Sequence, residues 1–92
     1  MHYTYVSLSD KDGRFYTGCT ADLRARLREH TAGKVRSTAY RTPLELVYYE
    51  ACVNAEDAFR RERFLKTGKG KRYLKNRLAR FIVSRRNKLE RH

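Results

Sequence analysis

The chain has 92 residues, enough for one domain with a modest core, and its 22 Lys and Arg against 10 Asp and Glu leave a net charge of +12. The excess sits at one end: residues 1–59 carry 8 basic and 8 acidic side chains, whereas residues 60–92 carry 14 and 2. This asymmetry points to a polyanionic partner, phosphates rather than a membrane because no long apolar run or lipidation signal accompanies it, and two cysteines exclude a disulfide scaffold or a cysteine-based zinc site.

Residues 2–9 alternate, with Tyr3 and Tyr5 on one face and Thr4, Val6 and Leu8 on the other, which predicts a strand. This opening has no basic region followed by an apolar block, so the expectation is a cytoplasmic chain without a signal peptide. Asp10-Lys11-Asp12-Gly13 is a turn cluster and residues 14–20 resume strand-forming types, so the two runs close as an antiparallel hairpin. Thr20 and Asp22 are helix starters, Leu23, Leu27 and His30 recur at helical spacing, and Gly33 supplies a stop. Residues 34–43 form a basic loop ending in the only proline. The apolar run at 44–53 predicts a strand buried on both faces, the sheet centre or a strand covered by helices.

Asn54 caps the next helix, with Asp57 three residues on, and Ala58, Phe59 and Leu65 make its inward stripe before Gly68 ends it. Residues 67–72 read as a glycine-spaced basic turn. Leu74, Leu78, Phe81 and Ile82 then recur at helical spacing among arginines, predicting one amphipathic helix over about 71–87. The order ββαβαα implies an α+β sandwich, a three-stranded sheet flanked by helices, in a single domain.

Four groups of residues are candidates for chemistry. Glu62 lies between Arg61 and Arg63 yet shares the apolar face of its helix with Ala58, Phe59 and Leu65. A carboxylate there needs a cation, either Lys66 or a nearby arginine in an ordinary ion pair, or a hard divalent ion held by one carboxylate and waters. Arg26 stands beside the apolar stripe of the first helix, where a guanidinium grips a phosphate bidentately or is one more surface arginine. Tyr5 and Tyr16 are either core aromatics or phenols whose pKa neighbouring cations lower enough for general-base work. His30 is a structural histidine or a proton relay.

Tyr3-Thr4-Tyr5, Tyr16-Thr17-Gly18, Arg26 ten residues past Tyr16, and Glu62 within residues 58–66 together resemble the GIY-YIG nuclease domain, and most closely its small stand-alone bacterial members. The resemblance covers roughly 3–78 and extends more distantly to the N-terminal nuclease domain of the excision-repair protein UvrC. It implies a central three-stranded antiparallel sheet and metal-dependent phosphodiester hydrolysis. Carried over by position, Tyr5 or Tyr16 activates or positions water, Arg26 stabilises the pentavalent phosphate, Glu62 holds one Mg2+ or Mn2+ ion, and His30 stands near the site. Asn76 matches a late polar residue of the family.

The departures from the pattern matter. The first motif reads Tyr-Thr-Tyr and the second has Thr17, while Cys19 replaces a lysine of UvrC-type domains, leaving that cation missing or supplied by Lys34, Arg36 or Arg41. Relatives also take target choice from an appended domain, so Lys69, Lys71, Arg72 and Asn76 of the basic end are expected to bind nucleic acid, with weak sequence preference. The leading reading is an endonuclease of DNA, with branched, damaged or single-stranded DNA as candidate substrates and DNA repair as one setting. Its rivals are a non-catalytic DNA- or RNA-binding accessory protein, and an interaction protein that uses its cationic helix on an acidic partner.

Overall fold

The computed structural model describes residues 1–90. Strands β1 (His2–Ser9) and β2 (Phe15–Thr20) form the expected hairpin, helix α1 (Leu23–Thr31) follows, and a 3-10 turn (Ala39–Arg41) leads into β3 (Leu44–Cys52). Helices α2 (Ala55–Leu65), α3 (Gly68–Arg77) and α4 (Ala79–Glu90) complete an α+β fold. The sheet is antiparallel with order β2-β1-β3.

The central strand is therefore β1, and β3, expected at the centre or under helices, is an edge strand on which Tyr49 is 54% exposed. The polar letters of β1 conceal its position. Thr4 and Ser9 are buried but satisfied, Thr4 Oγ1 donating to the Ala58 carbonyl at 2.9 Å and Ser9 Oγ to the Arg41 carbonyl at 2.6 Å, so small hydroxyls occupy a core strand at little cost. A register shift between Val6 and Ser7 marks an irregularity in the β1–β3 ladder.

The two faces of β1 reach different helices. Val6 packs on Leu65 of α2 and Leu74 of α3, with Phe15, Val47 and Tyr48 around them, and this is the core. Tyr5, on the opposite face, meets His30 of α1.

Local chemistry sets the helix ends. Asp22 caps α1 by accepting from the Ala25 N–H at 3.0 Å. At the other end Gly33 (φ +72°) and Lys34 donate to the carbonyls of His30 and Glu29, a paired closure that needs a left-handed residue. Asn54 caps α2 through the Glu56 N–H at 2.8 Å, while Phe59, expected inward, is 51% exposed.

The last third departs most from expectation. The basic turn at 67–72 is instead the first part of α3, capped by Thr67, whose Oγ1 accepts from the Gly70 N–H at 3.1 Å. Gly70 permits a close crossing, since a Cβ there would stand 2.5 Å from Leu65 Cα. The single helix expected over 71–87 is broken at Leu78 (φ −105°, ψ 23°), and the chain resumes as α4. Apolar spacing continues across this joint without glycine or proline, so no residue type announces it. Helix α4 buries no residue fully; Arg85 ties it to Asp10 and, at 3.5 Å, to Glu45.

Candidate active site

An open cleft of about 450 Å³ lies along β2, bounded by residues of α1, α2 and α3. It gathers Tyr5, Tyr16, Arg26, His30 and Glu62, which come from four different elements. Antiparallel pairing sets Tyr5 opposite Gly18 and Tyr16 opposite Ser7, so the two phenols share one face of the hairpin. Gly18 is what lets Tyr5 reach the cleft: a Cβ there would stand 2.5 Å from Tyr5 Cζ.

The Tyr5 hydroxyl lies 2.8 Å from His30 Nε2, and His30 Nδ1 lies 2.6 Å from Thr38 Oγ1. All three residues are buried. Burial raises the Tyr5 pKa, with the nearby Arg26 guanidinium acting in the opposite direction. Burial, and then the Arg26 charge, lowers the His30 pKa. At neutral pH the pair therefore rests as a neutral phenol against a neutral imidazole.

Tyr16 is held differently. Its hydroxyl donates to Asp12 Oδ2 at 2.5 Å, and that carboxylate also meets Arg41 Nε at 3.3 Å. The bond to Asp12 raises the phenol's pKa and lowers that of the carboxyl. Tyr16 is thus tied as a proton donor to its own hairpin turn, unlike Tyr5, whose partner is a base.

Arg26 projects from the first turns of α1. Its Nη1 is 3.7 Å from Glu29 Oε2, but its Nε is buried without a hydrogen-bond partner. A buried donor left unpaired costs about 1–3 kcal/mol, so this atom is poised for an acceptor that the protein does not supply. Glu62, 18% exposed, accepts from Lys66 Nζ at 2.9 Å, realising the i,i+4 ion pair that its position allowed. No group of three or more His, Cys, Asp or Glu residues that could hold a metal ion occurs among the described residues. The donor set fits a hard ion bound by one carboxylate, waters and a ligand oxygen, and does not fit a zinc cage.

The basic residues separate into groups. Lys71 lines the cleft, together with Lys66, which the sequence suggested only as an ion-pair partner. Lys34, Arg36 and Arg41 are exposed and outside its lining, although Arg41 reaches its mouth through Asp12. The lysines that line the cleft together with Cys19 are therefore Lys66 and Lys71. Lys69, Arg72 and Asn76 line a separate shallow groove beside Tyr73, so Asn76 is not brought into the cleft. Burial and the neighbouring Glu62 raise the pKa of Cys19, keeping it a neutral thiol rather than a thiolate.

Thr38 had no signal in the sequence, and Asp12 only that of a turn. Each is a polar loop residue whose contact depends on how a turn folds back. The exposed Phe59 on the cleft wall was hidden by its apolar type, which read as core.

The family profile described as the GIY-YIG catalytic domain matches residues 1–77. A UPF0213 protein of Staphylococcus haemolyticus is 42% identical over 67 residues, 72% of this chain and 80% of that protein. One from Streptococcus pyogenes is 44% identical over 68 residues, 73% of each chain, and one from Halobacterium salinarum is 41% identical over 63 residues, 67% of this chain and 80% of its own. No solved structure matches the chain. No helix among the described residues is long and apolar enough to cross a membrane.

Proposed function

This chain belongs to the GIY-YIG catalytic-domain family, a family of nucleases, and from that premise we propose that it is a divalent-metal-dependent endonuclease that hydrolyses phosphodiester bonds in DNA. The observation that carries the reading is the unpaired, buried Arg26 Nε in a cleft shared with Glu62, Tyr5 and His30. A phosphate oxygen is the acceptor that such a donor lacks.

In this reading the scissile phosphate sits between Arg26 and Glu62. Mg2+ or Mn2+ held by Glu62 would polarise the phosphate and support the leaving oxygen. Tyr5 takes a proton from the attacking water while its own proton passes to His30 Nε2. The concerted path avoids a free phenolate, which burial disfavours. The water oxygen forms the new P–O bond as one ester P–O bond breaks. Arg26 supplies charge that counts most as negative charge builds on the phosphoryl oxygens. Tyr16, fixed on Asp12, shapes the cleft wall and orients rather than deprotonates. Lys71 at the cleft and Lys69 and Arg72 beyond it hold the flanking backbone of the nucleic acid.

The Lys66–Glu62 ion pair favours a second reading, in which a lysine stands permanently where the metal would bind and the protein holds nucleic acid without cutting it. One assay separates the two. Purified protein is incubated with single-stranded, duplex and branched DNA and with matching RNA, in Mg2+, Mn2+ or chelator, beside Glu62→Gln. Metal-dependent cutting lost in the variant, with binding retained, is expected. Binding without cutting on every substrate supports the second reading, and a fully active variant refutes the role given to Glu62.

A further inference from the structure

Thr38 is buried on the long loop between α1 and β3, outside every motif that suggested the site. Its backbone is pinned on both sides: the Thr38 N–H donates to the Val35 carbonyl at 3.1 Å, and the Thr38 carbonyl accepts from the Arg41 N–H at 2.9 Å. Its hydroxyl lies 2.6 Å from His30 Nδ1 and 3.4 Å from the Val35 carbonyl.

Three protons must be shared along this chain of atoms: those of the Tyr5 hydroxyl, the neutral imidazole and the Thr38 hydroxyl. If the imidazole proton sat on Nε2 it would point at the Tyr5 oxygen, and the buried phenol would have no acceptor within the protein. If it sits on Nδ1, every proton has a place to go. Nδ1–H donates to Thr38 Oγ1, the Thr38 hydroxyl donates to the Val35 carbonyl, and the Tyr5 hydroxyl donates to Nε2. Leaving a buried donor unpaired costs more than the long Thr38–Val35 bond lacks in strength.

We infer that Thr38 is a positioning residue that holds His30 as its Nδ1–H tautomer, so that Nε2 stands open to receive the Tyr5 proton. The consequence for turnover rests on the nuclease reading above; the tautomer does not. The same contact favours the imidazolium once formed, because Nδ1–H keeps its acceptor while Nε2 gains the proton. It also links the basic loop bearing Lys34, Arg36 and Arg41 to the state of the ring.

The test compares the wild-type chain with Thr38→Val, which keeps the shape and removes the acceptor, and Thr38→Ser, which keeps the hydroxyl. Imidazole nitrogen chemical shifts of 15N-labelled protein report the tautomer directly. The wild type and Thr38→Ser are expected to show Nδ1–H, and Thr38→Val to show Nε2–H or a mixture. On a cleavable substrate Thr38→Val is expected to lose about tenfold or more in kcat with KM little changed, the scale on which hydrogen-bond partners of metal-bound histidine act. An Nε2–H ring in the wild type overturns the inference, as does a Thr38→Val protein with unchanged shifts. If the wild-type and variant shifts behave as expected but no substrate is cut, the positioning role stands and the nuclease reading falls.

Discussion

Two regions of this molecule are built from the same residue types and treat them in opposite ways. On one side Arg61 gives Nε to both carboxylate oxygens of Glu50, at 2.9 and 3.0 Å, and Nη2 to Oε2 at 2.9 Å. Tyr48 donates to the same carboxylate at 2.8 Å, and the guanidinium lies over the rings of Tyr73 and Phe64, 4.6 and 5.3 Å from their centres. In the cleft, Arg26 leaves Nε unpaired, Glu62 is held by one lysine, and Tyr5 faces a base. This cluster ties β3 to α2 and α3, with the guanidinium and the carboxylate turned onto each other. The unsaturated one carries a cost in the resting protein, which the phosphate proposed above would relieve. Composition does not separate a binding site from a structural clasp here; the count of partners does.

Substitutions at the two arginines should break this contrast or sharpen it. Arg26→Lys is expected to have the largest effect, a loss of about 10²–10³ in kcat, the scale of removing one preorganised donor from a developing oxyanion. Its melting temperature should hold or rise, because the donor removed was buried without a partner and its cost goes with it; single-turnover cleavage and a thermal melt on one preparation check both. Arg61→Met should do the reverse. It is expected to cost about 1–2 kcal/mol in denaturant unfolding, allowing for the partial exposure of the pair, while leaving the cleavage rate of the folded protein unchanged. An Arg61 variant that melts normally but cuts slowly would show that the two regions are coupled.

The smallest expected effect concerns pH. The folded His30 pKa lies below its ordinary value near 6.5, so the unfolded chain takes up a proton first as pH falls. The stability due to neutral His30 is thus complete above about pH 6.5 and is lost as pH drops through the lowered folded value. Melting curves of the wild type and His30→Gln, followed downward from pH 7.5, should converge over that window; parallel curves would contradict a buried neutral imidazole.

How much of this was legible in the sequence depends on how local the cause was. The hairpin, α1 and α2 were read from alternation, caps and glycine stops that act within a few residues. The order of strands was not, because β1 hides its central place behind Thr4, Ser7 and Ser9, and the apolar density of β3 exceeds its burial. The break at Leu78 was illegible for a related reason: the apolar spacing on its two sides is continuous. Tyr5, Tyr16, Arg26, His30 and Glu62 stood out by motif, and the structure brings them to one cleft. The partners that decide their state did not stand out. Asp12 on Tyr16 and Thr38 on His30 are contacts closed by turns, and no pattern of residue types encodes them.

The place of Tyr5 on a strand bonded along both edges has one more consequence. Amide protons of an edge strand or a helix end are released by local fraying, but those of a strand paired on both sides escape only when the sheet itself comes apart. In a hydrogen-exchange experiment Tyr5 should therefore fall among the slowest residues of the chain, and the phenol it carries is held in register by the free energy of the whole fold. The residue proposed to take the proton is thus carried by the last part of the structure to melt.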